Sequence, residues 1–199
     1  MKRVAVMLCI AVWLSACGPT ADPVVVATAP AQGGALAVTT EPAPTNPVAG
    51  QPSPAAVTQG EIAVSDEGYA HVEVGSEITY QHYPPASGPH YPVTIQYGLY
   101  EEDVPEGYWV HMLEHGAIVV LYKCETPCPD LVQSLGDMLD SFPLTKWNNR
   151  KIVIVPYQRM STPLMAVAWD VQMPLDRFDA QALIDFYARH VDQGLEDVP

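Results

Sequence analysis

Four of the six histidines fall between residues 82 and 115: His82, His90, His111 and His115. The most informative stretch is His111-Met112-Leu113-Glu114-His115-Gly116. On a helix, positions i and i+4 share a face, and on a strand they also share one. The two imidazoles therefore converge under either assignment, whereas Glu114 joins them only on a helical turn. Upstream, Pro84-Pro85-Ala86-Ser87-Gly88-Pro89-His90 is stiffened by its prolines. His90 is thus presented with little ordering loss on binding. Imidazoles and a carboxylate form a transition-metal ligand set. The pattern predicts a copper or zinc ion held by His90, His111, His115 and Glu114. His82, Met112 and Met165 are secondary ligand candidates; thioether donors would favour Cu(I), while methionines at such places also serve as core filler. His71 and His190 stand apart and read as surface residues.

Two other chemistries fit the same residues. A zinc ion with three protein ligands and an open position would activate water, with Glu114 as general base, giving a metal-dependent hydrolase. Ser87 activated by His90 or His115 would give a metal-free nucleophile. No G-x-S-x-G elbow is present, and Ser87-Gly88-Pro89 reads as turn chemistry. The third reading is a structural or interaction domain, in which a His/Glu hydrogen-bond network fixes the proline loop against the neighbouring strand.

The elements that must carry these residues occupy 61–199, one domain by length. Residues 62–78 contain short alternating runs that suggest one or two edge strands. Residues 80–92 form a proline-punctuated loop, and 94–100 a short strand. Residues 117–122 are apolar throughout and predict a central buried strand. Further buried strands are expected at 151–156 and 164–171, with Trp169 inside the latter. Helical spacing marks 130–142, with Pro129 suited to the first turn, and 178–191, with Asp176 or Asp179 as cap. The expectation is an α+β fold: a mixed β-sheet with two helices packed on one face. The order β-α-β-β-α also bears a faint likeness to the C-terminal part of a thioredoxin fold.

Before the domain the chain changes character. Residues 1–17 read as a leader, with Lys2 and Arg3, an uncharged run and a small-residue cleavage site. The run is too short to span a bilayer, which needs about 20 apolar residues. Leu14-Ser15-Ala16-Cys17 resembles the lipobox of bacterial lipoproteins, which implies lipidation of Cys17 and a stable anchor at the extracytoplasmic face of the cell membrane. Residues 18–60, rich in Pro, Ala and Thr, predict a disordered tether. The formal net charge of −14 argues against nucleic-acid binding, which needs Lys and Arg against phosphate. Once the leader leaves, the domain's pair is Cys124-Glu125-Thr126-Pro127-Cys128. A structural disulfide, a redox-active pair and a soft metal-ligand pair are the three readings.

The proline–histidine loop, the His111–Gly116 segment, Val119-Val120-Leu121-Tyr122, Ala166-Val167-Ala168-Trp169 and the closing Phe186-Tyr187 helix together resemble the DUF3105 family over about 80–195. The resemblance implies that Ser87, Gly88, Pro89, His90, His111, Glu114, His115 and Gly116 are motif positions. It implies no activity, but it tilts the metal toward copper and the partner toward a copper-handling or metal-delivery protein. The cysteine pair lies outside the family pattern, which favours the structural disulfide.

Overall fold

The computed structural model describes residues 60–199. The expected leader, Cys17 and all but the last residue of the expected tether lie outside the described residues. Among those residues the chain runs β1 (Ile62–Ala63), β2 (Gly98–Leu99), α1 (Glu106–Glu114), β3 (Ile118–Tyr122) and α2 (Pro129–Asp137). After a 3₁₀ turn at Leu139–Ser141 it continues through β4 (Ile152–Pro156), β5 (Leu164–Ala168), β6 (Val171–Leu175) and α3 (Ala180–His190). The strands form one mixed sheet in the order β1-β6-β5-β3-β4-β2, with β2, β4 and β3 mutually parallel and β3–β5, β5–β6 and β6–β1 antiparallel.

β3 lies between β4 and β5 and is buried along its whole length, as its apolar run requires. Alternation sends its side chains to two cores. Ile118, Val120 and Tyr122 pack with Leu135, Phe142, Leu183 and Phe186 beneath α2 and α3. Val119 and Leu121 pack with Trp109, Val110 and Leu113 of α1 on the opposite face. The sheet therefore carries the two expected helices on one face and a third helix on the other. The reversal follows from connection handedness. β2→β3 and β3→β4 run in opposite directions across the sheet, so right-handed crossovers place α1 and α2 on opposite faces.

Helix ends follow local chemistry. Pro129 opens α2, where its missing N–H matters least. Asp179 caps α3 by accepting from the Ala182 N–H at 3.0 Å. The expected strand at 94–100 is reduced to the two residues of β2, and the expected helix at 130–142 divides into α2 and the 3₁₀ turn. The expected single strand at 164–171 is a hairpin, broken by Asp170 with φ +58°. Aspartate tolerates this left-handed conformation better than most non-glycine residues.

Asp170 yields a pH prediction. Burial, with Asp66 and Glu67 adding to it against the Ser87 hydroxyl, pushes its carboxyl from 3.8 up to about 6. Between those values the folded chain holds a proton that the unfolded chain has lost, so stability falls as pH rises through that window. Asp170→Asn keeps a residue suited to the turn and removes the charge. It is expected to stabilise the domain at pH 7 by on the order of 1 kcal/mol. The stability slope between pH 4 and 6 should flatten, as read by urea unfolding across that range.

Candidate metal centre

The site forms where the C-terminal end of α1 meets the proline loop. α1 ends in a Schellman arrangement: the Gly116 N–H donates to Leu113 O at 2.9 Å and the Ala117 N–H to Met112 O at 2.9 Å. Gly116 supplies the positive φ, +77°, that this turn requires. The helical register puts His111, Glu114 and His115 on the last turn, three and four residues apart. The loop is held by the Tyr80 hydroxyl donating to Pro89 O at 2.9 Å and by the Asp170 N–H donating to Ala86 O at 3.0 Å. Residues 70–72 run beside it: His90 N–H donates to Ala70 O at 2.9 Å and Val72 N–H to His90 O at 2.8 Å. This short parallel bridge places His71 next to His90.

Three imidazoles then surround one carboxylate oxygen. Glu114 Oε2 lies 3.0 Å from His90 Nε2, 3.4 Å from His71 Nε2 and 3.5 Å from His111 Nδ1. The ring centroids of these histidines are 4.8–5.2 Å apart. Trp169 stands edge-on to His90, with centroids 6.4 Å apart. His90, His111 and Glu114 are buried, while the His71 side chain is 46% exposed and forms the mouth of the site.

The protonation logic is specific. His90 Nδ1 lies 2.8 Å from Gly88 O, an acceptor only, so Nδ1 carries the proton. Nε2 then faces Glu114 Oε2 at 3.0 Å, either as a lone pair or, carrying a second proton, as a donor to the carboxylate. Burial raises the Glu114 pKa, but the hydrogen bond to His90 and the surrounding imidazoles outweigh it and hold the carboxyl below its ordinary value. His111 is pushed down to about 4, first by burial and then by His115 and His90. It is thus a neutral imidazole near pH 7, the form that binds metals, and its buried Nδ1 has no hydrogen-bond partner. His115 is also lowered, chiefly by burial.

His71, His90, His111 and Glu114 can hold a metal ion: one donor atom from each lies within 4.8 Å of every other. Tetrahedral zinc with bonds of ~2.0–2.1 Å has donor–donor edges of roughly 3.3–3.4 Å. The separations of 3.0, 3.4 and 3.5 Å about Oε2 bracket that edge. His115 lies beside His111, with ring centroids 4.4 Å apart, while its Nε2 is 3.2 Å from Glu196 of the C-terminal segment, and it joins Glu114 and Glu196 in a second group. His82 is tied to Glu67 at 2.9 Å outside the cluster. Met112 and Met165 are buried in the α1-side core, and Met112 Sδ accepts from the Ile95 N–H at 3.4 Å. Ser87 accepts from the Glu67 N–H at 3.0 Å, a contact that ties the loop to a segment twenty residues earlier. Cys124 and Cys128 form a disulfide.

His71 escaped the sequence reading because its place depends on pairing 70–72 with 88–90, which no local pattern announces. His190, expected at the surface, is buried and lies 3.3 Å from Glu61.

Comparison with known proteins gives one finding. The family model described as "Protein of unknown function (DUF3105)" matches residues 71–198, a range that contains His71, His90, His111 and Glu114. No curated protein and no solved structure matches the chain.

Proposed function

The chain belongs to the DUF3105 family, which supplies no activity to carry over, and from the site itself we propose that the domain binds a divalent transition metal, zinc or copper, through His71, His90, His111 and Glu114. The observation that carries this reading is the buried contact of His90 Nε2 with Glu114 Oε2, 3.0 Å apart with His90 Nδ1 already committed to Gly88 O. Two buried lone pairs at that separation need a cation or a proton between them. The Gly88 carbonyl orients the ring as an outer-shell acceptor orients a ligating histidine.

The donor set selects the metal class. Three nitrogens and one oxygen suit Zn²⁺ and Cu²⁺ better than Cu(I), which prefers sulfur. The thioether of Met112, next to His111 in sequence, is packed in the core and accepts a backbone N–H. Between the two ions, the order of intrinsic affinity favours Cu²⁺.

The leader and Cys17 support a lipid-anchored address outside the cytoplasm, and the Pro/Ala/Thr-rich segment supports a tether. Among the described residues no helix is long and apolar enough to cross a membrane. In this reading the domain captures an ion near the membrane and passes it to a metal-handling partner, with the half-exposed His71 as the first ligand to meet or release it.

Calorimetric titration of the metal-stripped chain with Zn²⁺ and Cu²⁺ tests the proposal. One ion should bind per chain with a Kd below about 1 µM. His90→Ala should weaken binding by about 100-fold or more, beyond the effect of losing an outer-shell partner. Undiminished binding by a folded His90→Ala/His111→Ala variant would exclude this centre.

A further inference from the structure

A second chemical feature lies at the other end of β3. The Cys124–Cys128 disulfide borders a groove at the carboxyl ends of the parallel strands β3, β4 and β2. Tyr122, Pro156 and Leu99, the last residues of those strands, line it, with Glu101 and Gln158 just beyond. In open α/β sheets the crevice past the strand carboxyl ends is the ordinary place for ligands. A C-x-x-C pair beside a βαβ unit in a cytosolic protein reads as a redox motif; this pair, spaced one residue wider in a chain read as exported, occupies the same turn of the β3-α2-β4 unit. The strands β6-β5-β3-β4, with β5 antiparallel to the other three, complete the surrounding sheet.

The two sulfurs are not equivalent. Cys128 is the residue from which α2 starts, and no side chain caps that helix end. A Cys128 thiolate would sit at the positive end of α2, which favours the charged form. Asp130 in the first turn and Glu125 in the loop oppose this, but both are exposed to screening solvent. Cys124 packs against the core beneath α2 and α3. Both cysteines remain partly exposed, unlike a disulfide sealed in a core.

We propose that Cys124–Cys128 is a thiol–disulfide exchange site that works with a protein dithiol of the C-x-x-C class. In the reduced state the Cys128 thiolate attacks one sulfur of the partner's disulfide. That S–S bond breaks, a mixed disulfide forms, and the partner's other sulfur leaves as a thiolate and takes up a proton. Cys124 then loses its proton and attacks Cys128 Sγ. The intramolecular disulfide re-forms and the partner's second sulfur leaves, to be protonated in turn. Two electrons pass from this chain to the partner, which gains two protons. The same steps in reverse, driven by a partner dithiol, reset the pair. The groove beside Cys128 accommodates the partner's segment. The exchange is independent of the metal centre, which lies at the opposite end of β3.

The test uses the full chain with Cys9 and Cys17 replaced by serine, equilibrated with mixtures of reduced and oxidised glutathione and then alkylated. Under native conditions the pair is expected to pass from oxidised to reduced across those mixtures. In a second measurement, Cys124→Ser, which leaves Cys128 free, should react with Ellman's disulfide reagent about tenfold faster than Cys128→Ser. Circular dichroism confirms that each variant is folded, and the glutathione titration decides the matter if one is not. A pair that stays oxidised in the most reducing mixture and opens only in denaturant is a structural staple and overturns the proposal. Equal, slow reaction of the two folded variants overturns it as well.

Discussion

Gly194→Ala is expected to destabilise the domain by about 3 kcal/mol or more and to release the C-terminal segment from the end of α1. A Cβ at this position would lie 2.2 Å from Glu114 O, 2.2 Å from Gly116 N and 2.7 Å from Leu113 O. All three atoms are backbone, so no side chain can swing aside. The segment must move as a unit. Its retreat breaks the bond from Asp192 N–H to Gly116 O at 2.9 Å and that from Glu196 N–H to Glu114 O at 3.0 Å. It also strips partners from Lys151, whose ammonium is buried at 1% exposure. Lys151 Nζ donates to His115 O at 3.0 Å and to Val198 O, and lies 2.8 Å from Asp192 Oδ1. Losing the Asp192 and Val198 contacts leaves a buried cation poorly compensated, the costly way to break such a pair. Guanidinium unfolding reads the loss, and faster amide exchange at Asp192 and Glu196 locates it. Gly136→Ala is the internal control. Its Cβ would meet only Leu99 Cδ2, at 3.5 Å within α2, so helix propensity alone should make it neutral or stabilising.

Much of this architecture can be read from hydrophobic pattern, and the parts that cannot share a physical reason. The runs at 117–122 and 152–156 are apolar because both faces of those strands are covered, and they are parallel neighbours in the sheet. Residues 178–191 show an apolar stripe because α3 buries one side, with Leu183, Phe186 and Tyr187 inward. α1 has no such stripe. Gly107 and Trp109 through Glu114 are all buried, so no polar face remains to reveal the period. The buried Lys151 immediately precedes β4, and its burial is made tolerable by His115 O together with Asp192 and Val198 of the C-terminal segment. At the site, motif spacing brings out His90, His111 and Glu114. Which histidine completes the group depends on chain segments far away in sequence. Residues 70–72 bring His71 in beside His90, while His115, beside His111, pairs its Nε2 with Glu196.

Glu114→Gln separates a metal centre from a merely structural network, because the two readings assign the carboxylate different work. In the ion-free chain a glutamine amide can donate to the His90 Nε2 lone pair, replacing the contact with the carboxylate by a neutral hydrogen bond. Exchanging a buried charge for a well-partnered neutral group is often close to neutral in stability. The apo variant is therefore expected to unfold within about 1 kcal/mol of the parent. Metal affinity should behave otherwise. The amide is a far weaker donor to Zn²⁺ or Cu²⁺ than a carboxylate, and Oε2 is the atom nearest all three imidazoles. Affinity should fall by about 100-fold or more, past the range seen for outer-shell losses. If the carboxylate instead served a protonated His90 as a buried ion pair, loss of its charge would lower stability steeply and leave metal titrations unchanged. His71→Ala and His115→Ala complete the argument. His71 lies 3.4 Å from Oε2, so its removal should weaken binding by at least about tenfold. His115 is held by Glu196, and its removal should leave the affinity nearly intact. Equal losses from the two would place the ion between both histidine groups, and a larger loss from His115 would move it to the side of Glu196.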